Sequence, residues 1–129
     1  MIVLDSSAAV DLVARLEPGS WVDEQLAREP DAHAPFLIDI EVTTALRKLA
    51  HVGTLSARAA REALEDFALL DLARYPHLPF LGRMWELRAT ISAADASFLA
   101  LAEALDATVV TTDQRLARSH GHRAHIVAP

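Results

Sequence analysis

The sequence predicts an α/β fold, a central parallel β-sheet with α-helices on both faces. Short apolar runs of strand character alternate with helical patterns along the chain, the order expected when each strand is followed by a crossover helix. Two of these runs end alike. Ile2-Val3-Leu4 stops at Asp5, and Val109-Val110 runs through Thr111-Thr112 to Asp113, each just before a helix. No repeat, low-complexity stretch or linker interrupts the 129 residues, so they are expected to form one domain, 1–129, long enough to bury its own core.

The first strand, residues 2–4, leads into a helical region holding Ala8, Ala9, Val10, Leu12, Val13 and Leu16, which the Pro-Gly of "EPGS" breaks. Trp21, Val22, Leu26 and Ala27 recur at helical spacing up to Pro30. An extended piece ending near Phe36 precedes a helix expected from about Asp39, as its N-cap, to His51, closed by Gly53. Ser56 is placed to cap a helix whose stripe is Ala60, Leu64 and Phe67. "LLDLARYP" reads as a strand ended by Pro76, and a helix follows through Leu81, Met84, Trp85 and Leu87. "SAADASFLALAEALDA" is rich in strong helix formers. The strand "TVVTTD", the short helix "DQRLARSH" and a last strand "RAHIVA" complete the order.

Cysteine is absent, which excludes disulfides, thiolate catalysis and Cys-ligated metal centres. No apolar run approaches the ~18 residues of a membrane span, and the first residues lack the basic region of a signal peptide, so a cytoplasmic protein is expected. The net charge of −6 argues mildly against a nucleic-acid partner. Carboxylates gathered around a cation would account for part of it.

Acids at the carboxyl edge of a parallel sheet sit where ligand crevices form. Asp5 and Asp113 end strands there; Asp95 lies in the first turn of its helix, three residues after Ser92, and Glu41 is expected in the first turn of the helix starting near Asp39. Each has a purely structural explanation as a helix cap, half a capping box, or a dipole partner. As a set of four from distant segments they repel unless a cation joins them. Mg²⁺ or Mn²⁺ suits all-oxygen ligands and activates water toward phosphorus, so the implied chemistry is metal-assisted phosphodiester hydrolysis.

"IVLDSSAAV", "APFLIDIEVTTALRKL", "ISAADASFLALAEAL" and "VVTTDQRLAR" occur in the order and spacing of PIN-domain ribonucleases, and the chain resembles the VapC toxins of type II toxin–antitoxin pairs over essentially its whole length. "YPHLPFLGRMWELR" is similar to that family as well. The resemblance implies a PIN-like fold, a Mg²⁺- or Mn²⁺-dependent endoribonuclease acting on RNA, a homodimer, and a cognate VapB antitoxin that inserts a peptide, often with an Arg, into the acidic groove. It carries the site acids over to Asp5, Glu41, Asp95 and Asp113, with Asp5 and Asp95 as first choices for direct ligands. Ser6 and Thr111 match hydroxyl positions that orient a carboxylate or a water, and Arg88 matches the arginine of "WELR" as an RNA or acid contact.

Two departures from the family pattern leave the acids untouched. Ala94 stands where Tyr often precedes the aspartate, and Asp106 where the turn usually has Gly, a position Asp tolerates. Arg115 and Arg118 flank the helix beginning at Asp113 and are candidates for RNA phosphates. His120, His122 and His125 lack metal-ligand spacing, and Trp21 and Trp85 read as core or interface anchors. Aspartyl-phosphate chemistry fits poorly: Ser7 stands where a phosphatase of that type has its second Asp, and Lys48, the one lysine, lies inside a helix. The remaining alternative is a non-catalytic PIN module binding RNA or a protein.

Overall fold

A computed structural model describes residues 1–129. The elements run β1 (Ile2–Leu4), α1 (Ser6–Val13), α2 (Gly19–Arg28), β2 (Ala32–Pro35), α3 (Leu37–His51), α4 (Ala57–Leu69), β3 (Leu72–Tyr75), α5 (Leu81–Glu86), α6 (Ala93–Leu105), β4 (Thr108–Val110), α7 (Gln114–Ala117) and β5 (His125–Val127), with a 3-10 turn at Leu78–Phe80 before α5. All strands pair in parallel, in the order β3-β2-β1-β4-β5, and helices cover both faces of the sheet.

Strand β1 is the centre. Ile2 stands beside Ala32 on one side and Thr108 on the other, and Leu4 beside Val110. All three of its residues are buried, which explains why it reads as an unbroken apolar run rather than an alternating one. The chain moves outward from β1 to β2 and β3, then returns to the other side of β1 for β4 and β5. That reversal opens a crevice at the carboxyl ends of β1 and β4, which is where Asp5 and the segment 111–113 begin.

Helix α6 packs on β1, β2 and β4, with α5 against it. Its residues from Ala96 to Ala102 are all buried, so its apolar character all round is that of a core helix. Phe98, Leu99 and Leu101 are fully buried in it; removing a ring such as that of Phe98 costs about 3–5 kcal/mol. No helix is long and apolar enough to cross a membrane.

Several local expectations are corrected. Helix α1 ends at Val13, before Leu16, because Arg15 turns left-handed (φ 55°) and Leu16 N–H returns to Asp11 O at 3.0 Å. Gly19 then passes so close to α1 that a Cβ there would lie 2.4 Å from Asp11 O. Helix α3 begins at Leu37, not Asp39, because His77 Nε2 accepts the Leu37 N–H at 3.0 Å and caps it from another segment. Asp39 is therefore inside the first turn, where its carboxylate accepts from Arg74 Nε at 2.8 Å, and Glu41 falls in the second turn. Two other local signals hold: Ser56 caps α4 through Ala59 N, and Asp106 takes the left-handed position after α6 (φ 52°). The strand expected over "TVVTTD" stops at Val110, so Thr111 and Thr112 form the link to Asp113, the N-cap of α7.

Candidate active site

The carboxylates of Asp5, Glu41, Asp95 and Asp113 line one cleft of about 540 Å³ at the crevice between β1 and β4. Each arrives on a different element: Asp5 on the β1–α1 junction, Glu41 on α3, Asp95 in the first turn of α6 and Asp113 at the start of α7. Val10, Leu16, Ala45, Leu49 and Val52 form an apolar continuation of the same cleft, and Lys48 and Arg115 are its two cations.

Asp5 occupies the N-cap position of α1 but makes no capping bond. Its Oδ2 accepts instead from Ser7 Oγ at 2.7 Å and Thr111 Oγ1 at 2.8 Å. Asp113 does cap: its Oδ1 accepts from Arg115 N at 2.8 Å and Leu116 N at 3.4 Å. Ser92 accepts the Asp95 N–H at 3.2 Å, which seats Asp95 at the head of α6. Ser6 Oγ donates to Glu41 Oε1 at 2.7 Å. A neighbouring pair fixes the far wall, where Thr112 Oγ1 donates to Asp11 Oδ2 at 2.5 Å.

The site stores unfavourable charge. Burial pushes the Asp5 carboxyl above the usual carboxylate range; the Ser7 and Thr111 hydroxyls oppose this, and repulsion from Asp95 adds to it. Burial also raises Glu41, against the Ser6 hydroxyl and with repulsion from Asp5 and Asp95. Arg115 offers little relief. Its Nη2 is 3.9 Å from Asp95 Oδ2 and 3.7 Å from Asp113 Oδ2, but the side chain is 83% exposed, where such pairs are weak.

An all-oxygen, negatively charged donor set of this kind fits a hard divalent cation. No three of the acids already stand close enough to enclose an ion by themselves. A divalent cation in the cleft would be held by these carboxylates, with water completing its shell.

A PIN domain family model matches residues 2–120. Ribonuclease VapC12 of Mycobacterium tuberculosis is 40% identical over 126 residues, which cover 98% of this chain and 97% of that one. This chain belongs to the VapC family of PIN-domain proteins. Two solved structures share the VapC fold at 17% identity: M. tuberculosis VapC20, described as a sarcin-ricin loop cleaving toxin (TM-score 0.69, all of both chains), and VapBC2 from Rickettsia felis bound to a promoter DNA fragment (TM-score 0.67, 99% of this chain and 98% of that one).

In this VapC-family chain the four acids and Ser6 are brought into the cleft, and Thr111 reaches it through Asp5. Of the three arginines, only Arg115 lines the cleft. Arg88 stacks its guanidinium 4.3 Å above the Trp85 ring and donates to Trp85 O, and Arg118 folds back on Gln114 O. Ser7, Asp11, Thr112 and Lys48 belong to the site without a sequence signal that singled them out. The one available sign was position. Ser7 and Asp11 follow Asp5 on the first turns of α1 and lie a helical turn apart, on one face.

Proposed function

We propose that the chain is the toxin of a type II toxin–antitoxin pair and acts as a Mg²⁺- or Mn²⁺-dependent endoribonuclease. The observation that carries this reading is the meeting of Asp5, Glu41, Asp95 and Asp113 in one cleft from four separate elements. The names of its ribonuclease relatives support it.

A divalent cation bound there supplies polarisation of a phosphoryl oxygen and a lowered pKa for water. The protein's part is placement. Asp5 and Asp95 are the first choices as direct ligands, with Glu41 and Asp113 acting directly or through water. Ser6 holds Glu41, Thr111 holds Asp5, and Arg115 at the cleft offers positive charge to an RNA phosphate. The test is RNA cleavage with Mg²⁺ or Mn²⁺ by wild type, Asp5→Ala and Asp95→Ala. Loss of cleavage in both variants is expected; wild-type rates in both would sink the proposed site.

Its partners in this reading are a cognate VapB antitoxin and a second copy of the chain. An acidic cleft suits an arginine-bearing antitoxin peptide. For the homodimer the supporting surface is apolar and exposed: Phe36 and Ile40 at the start of α3, and Leu78, Leu81 and Trp85 around α5. Sedimentation of wild type and Trp85→Glu checks it, with a dimer expected only for wild type.

A further inference from the structure

We propose that Ser7 is a positioning residue that, with Thr111, engages one oxygen of Asp5 and leaves Oδ1 as the sole oxygen through which Asp5 meets a divalent cation. This rests on the metal-dependent reading above.

Serine in the first turn of a helix ordinarily serves that helix's own N–H groups. Ser7 does not. Its Oγ donates to Asp5 Oδ2 at 2.7 Å and accepts the Thr112 N–H at 3.2 Å, across 105 residues of sequence. Thr111 Oγ1, fully buried, repeats the pattern, donating to the same Oδ2 at 2.8 Å and accepting the Asp113 N–H at 3.0 Å.

Proton accounting then fixes the roles. Each hydroxyl has one proton, and an ionised carboxylate can only accept, so both protons go to Oδ2. The 3.1 Å approach of Ser7 Oγ to Thr111 Oγ1 is a contact between two oxygens whose protons are committed elsewhere. Oδ2 carries two donors, and no side chain donates to Oδ1. The same two hydroxyls hold the backbone of Thr112 and Asp113, so one clamp sets both the orientation of Asp5 and the position of the segment carrying Asp113. Without Ser7 Oγ, the Asp5 carboxylate keeps one of its two side-chain donors and the Thr112 N–H loses its acceptor.

Mn²⁺ binding measured by calorimetry and by the electron paramagnetic resonance of free Mn²⁺ tests the proposal without depending on cleavage. Partners that orient a ligand typically contribute 10–100-fold to metal affinity. Ser7→Ala is expected to weaken Mn²⁺ binding by about that factor, and Ser7→Thr, which keeps the hydroxyl, to restore it to within about threefold of wild type. Thr111→Val against Thr111→Ser makes the same comparison from the second hydroxyl should Ser7→Ala not fold. Wild-type Mn²⁺ affinity in a folded Ser7→Ala protein overturns the clamp and leaves the metal site standing. A wild-type protein that binds no Mn²⁺ overturns both.

Discussion

His77 Nε2 accepts the backbone N–H of Leu37 at 3.0 Å, so a histidine between β3 and α5 caps the helix that delivers Glu41 to the cleft. The Phe36 ring packs edge-on against the same imidazole. Leu37 has no serine or aspartate before it to serve as a cap, since Phe36 takes that position. His77→Ala is expected to cost about 1 kcal/mol, the usual penalty for losing an N-cap, measured by urea unfolding. His77→Asn, whose side-chain oxygen can accept the same bond, should lose less.

Asp5 is expected to limit stability as well as support activity. Its carboxyl is raised chiefly by burial, so the folded state binds a proton more tightly than the unfolded state does. Stability therefore falls as pH rises through the folded value and is recovered below the unfolded value near 3.9. Asp5→Asn, in the presence of a chelator, should be more stable than wild type at pH 7 by about 1 kcal/mol, with the difference vanishing in acid. Added Mn²⁺ should raise the wild-type melting temperature and leave that of Asp5→Asn unchanged. A variant that melts below wild type at pH 7 in chelator would contradict the stored-charge argument.

Glu103 predicts the opposite pH dependence. The Arg83 guanidinium donates to its two oxygens at 2.7 and 3.0 Å, and the Arg123 backbone N–H adds a third bond at 2.7 Å. Chiefly through Arg83, the carboxyl is held below the usual range, and Arg83 itself is raised. The side chain is only 6% exposed, so the pair is weakly screened. This stability is present above the ordinary glutamate value and is lost as pH falls through the lowered one. Glu103→Gln should cost about 2 kcal/mol at pH 7 and flatten the acid limb of the stability curve below about pH 4.5.

Arg115 gives a salt-dependence prediction. A cation that neutralises one phosphate of a single strand contributes about −0.7 to the slope of log K against log salt. Arg115→Ala should reduce the magnitude of that slope by about this amount in RNA titrations by fluorescence anisotropy, whereas Arg118→Ala, whose guanidinium is folded onto Gln114 O, should leave it unchanged.

The order of residues along the chain was enough to set the parallel α/β arrangement, the placement of Asp5 and Asp113 beyond the carboxyl ends of β1 and β4, and the short list of acids. It did so because strand and helix periodicities are local, and because a parallel sheet gathers its strand ends at one edge. It left Asp5 and Asp113 equivalent, as acids in front of helices. Their folded surroundings separate them: Asp113 bonds its own helix, while Asp5, buried at the centre of the sheet, finds donors on Ser7 and on Thr111, 106 residues away. The start of α3 was decided in the same way, because the cap is a histidine 40 residues downstream rather than the nearby Asp39. Hydrogen bonds between distant segments leave no periodicity in the chain, so Ser7, Asp11 and Thr112 became site residues only when β1 and β4 were brought side by side.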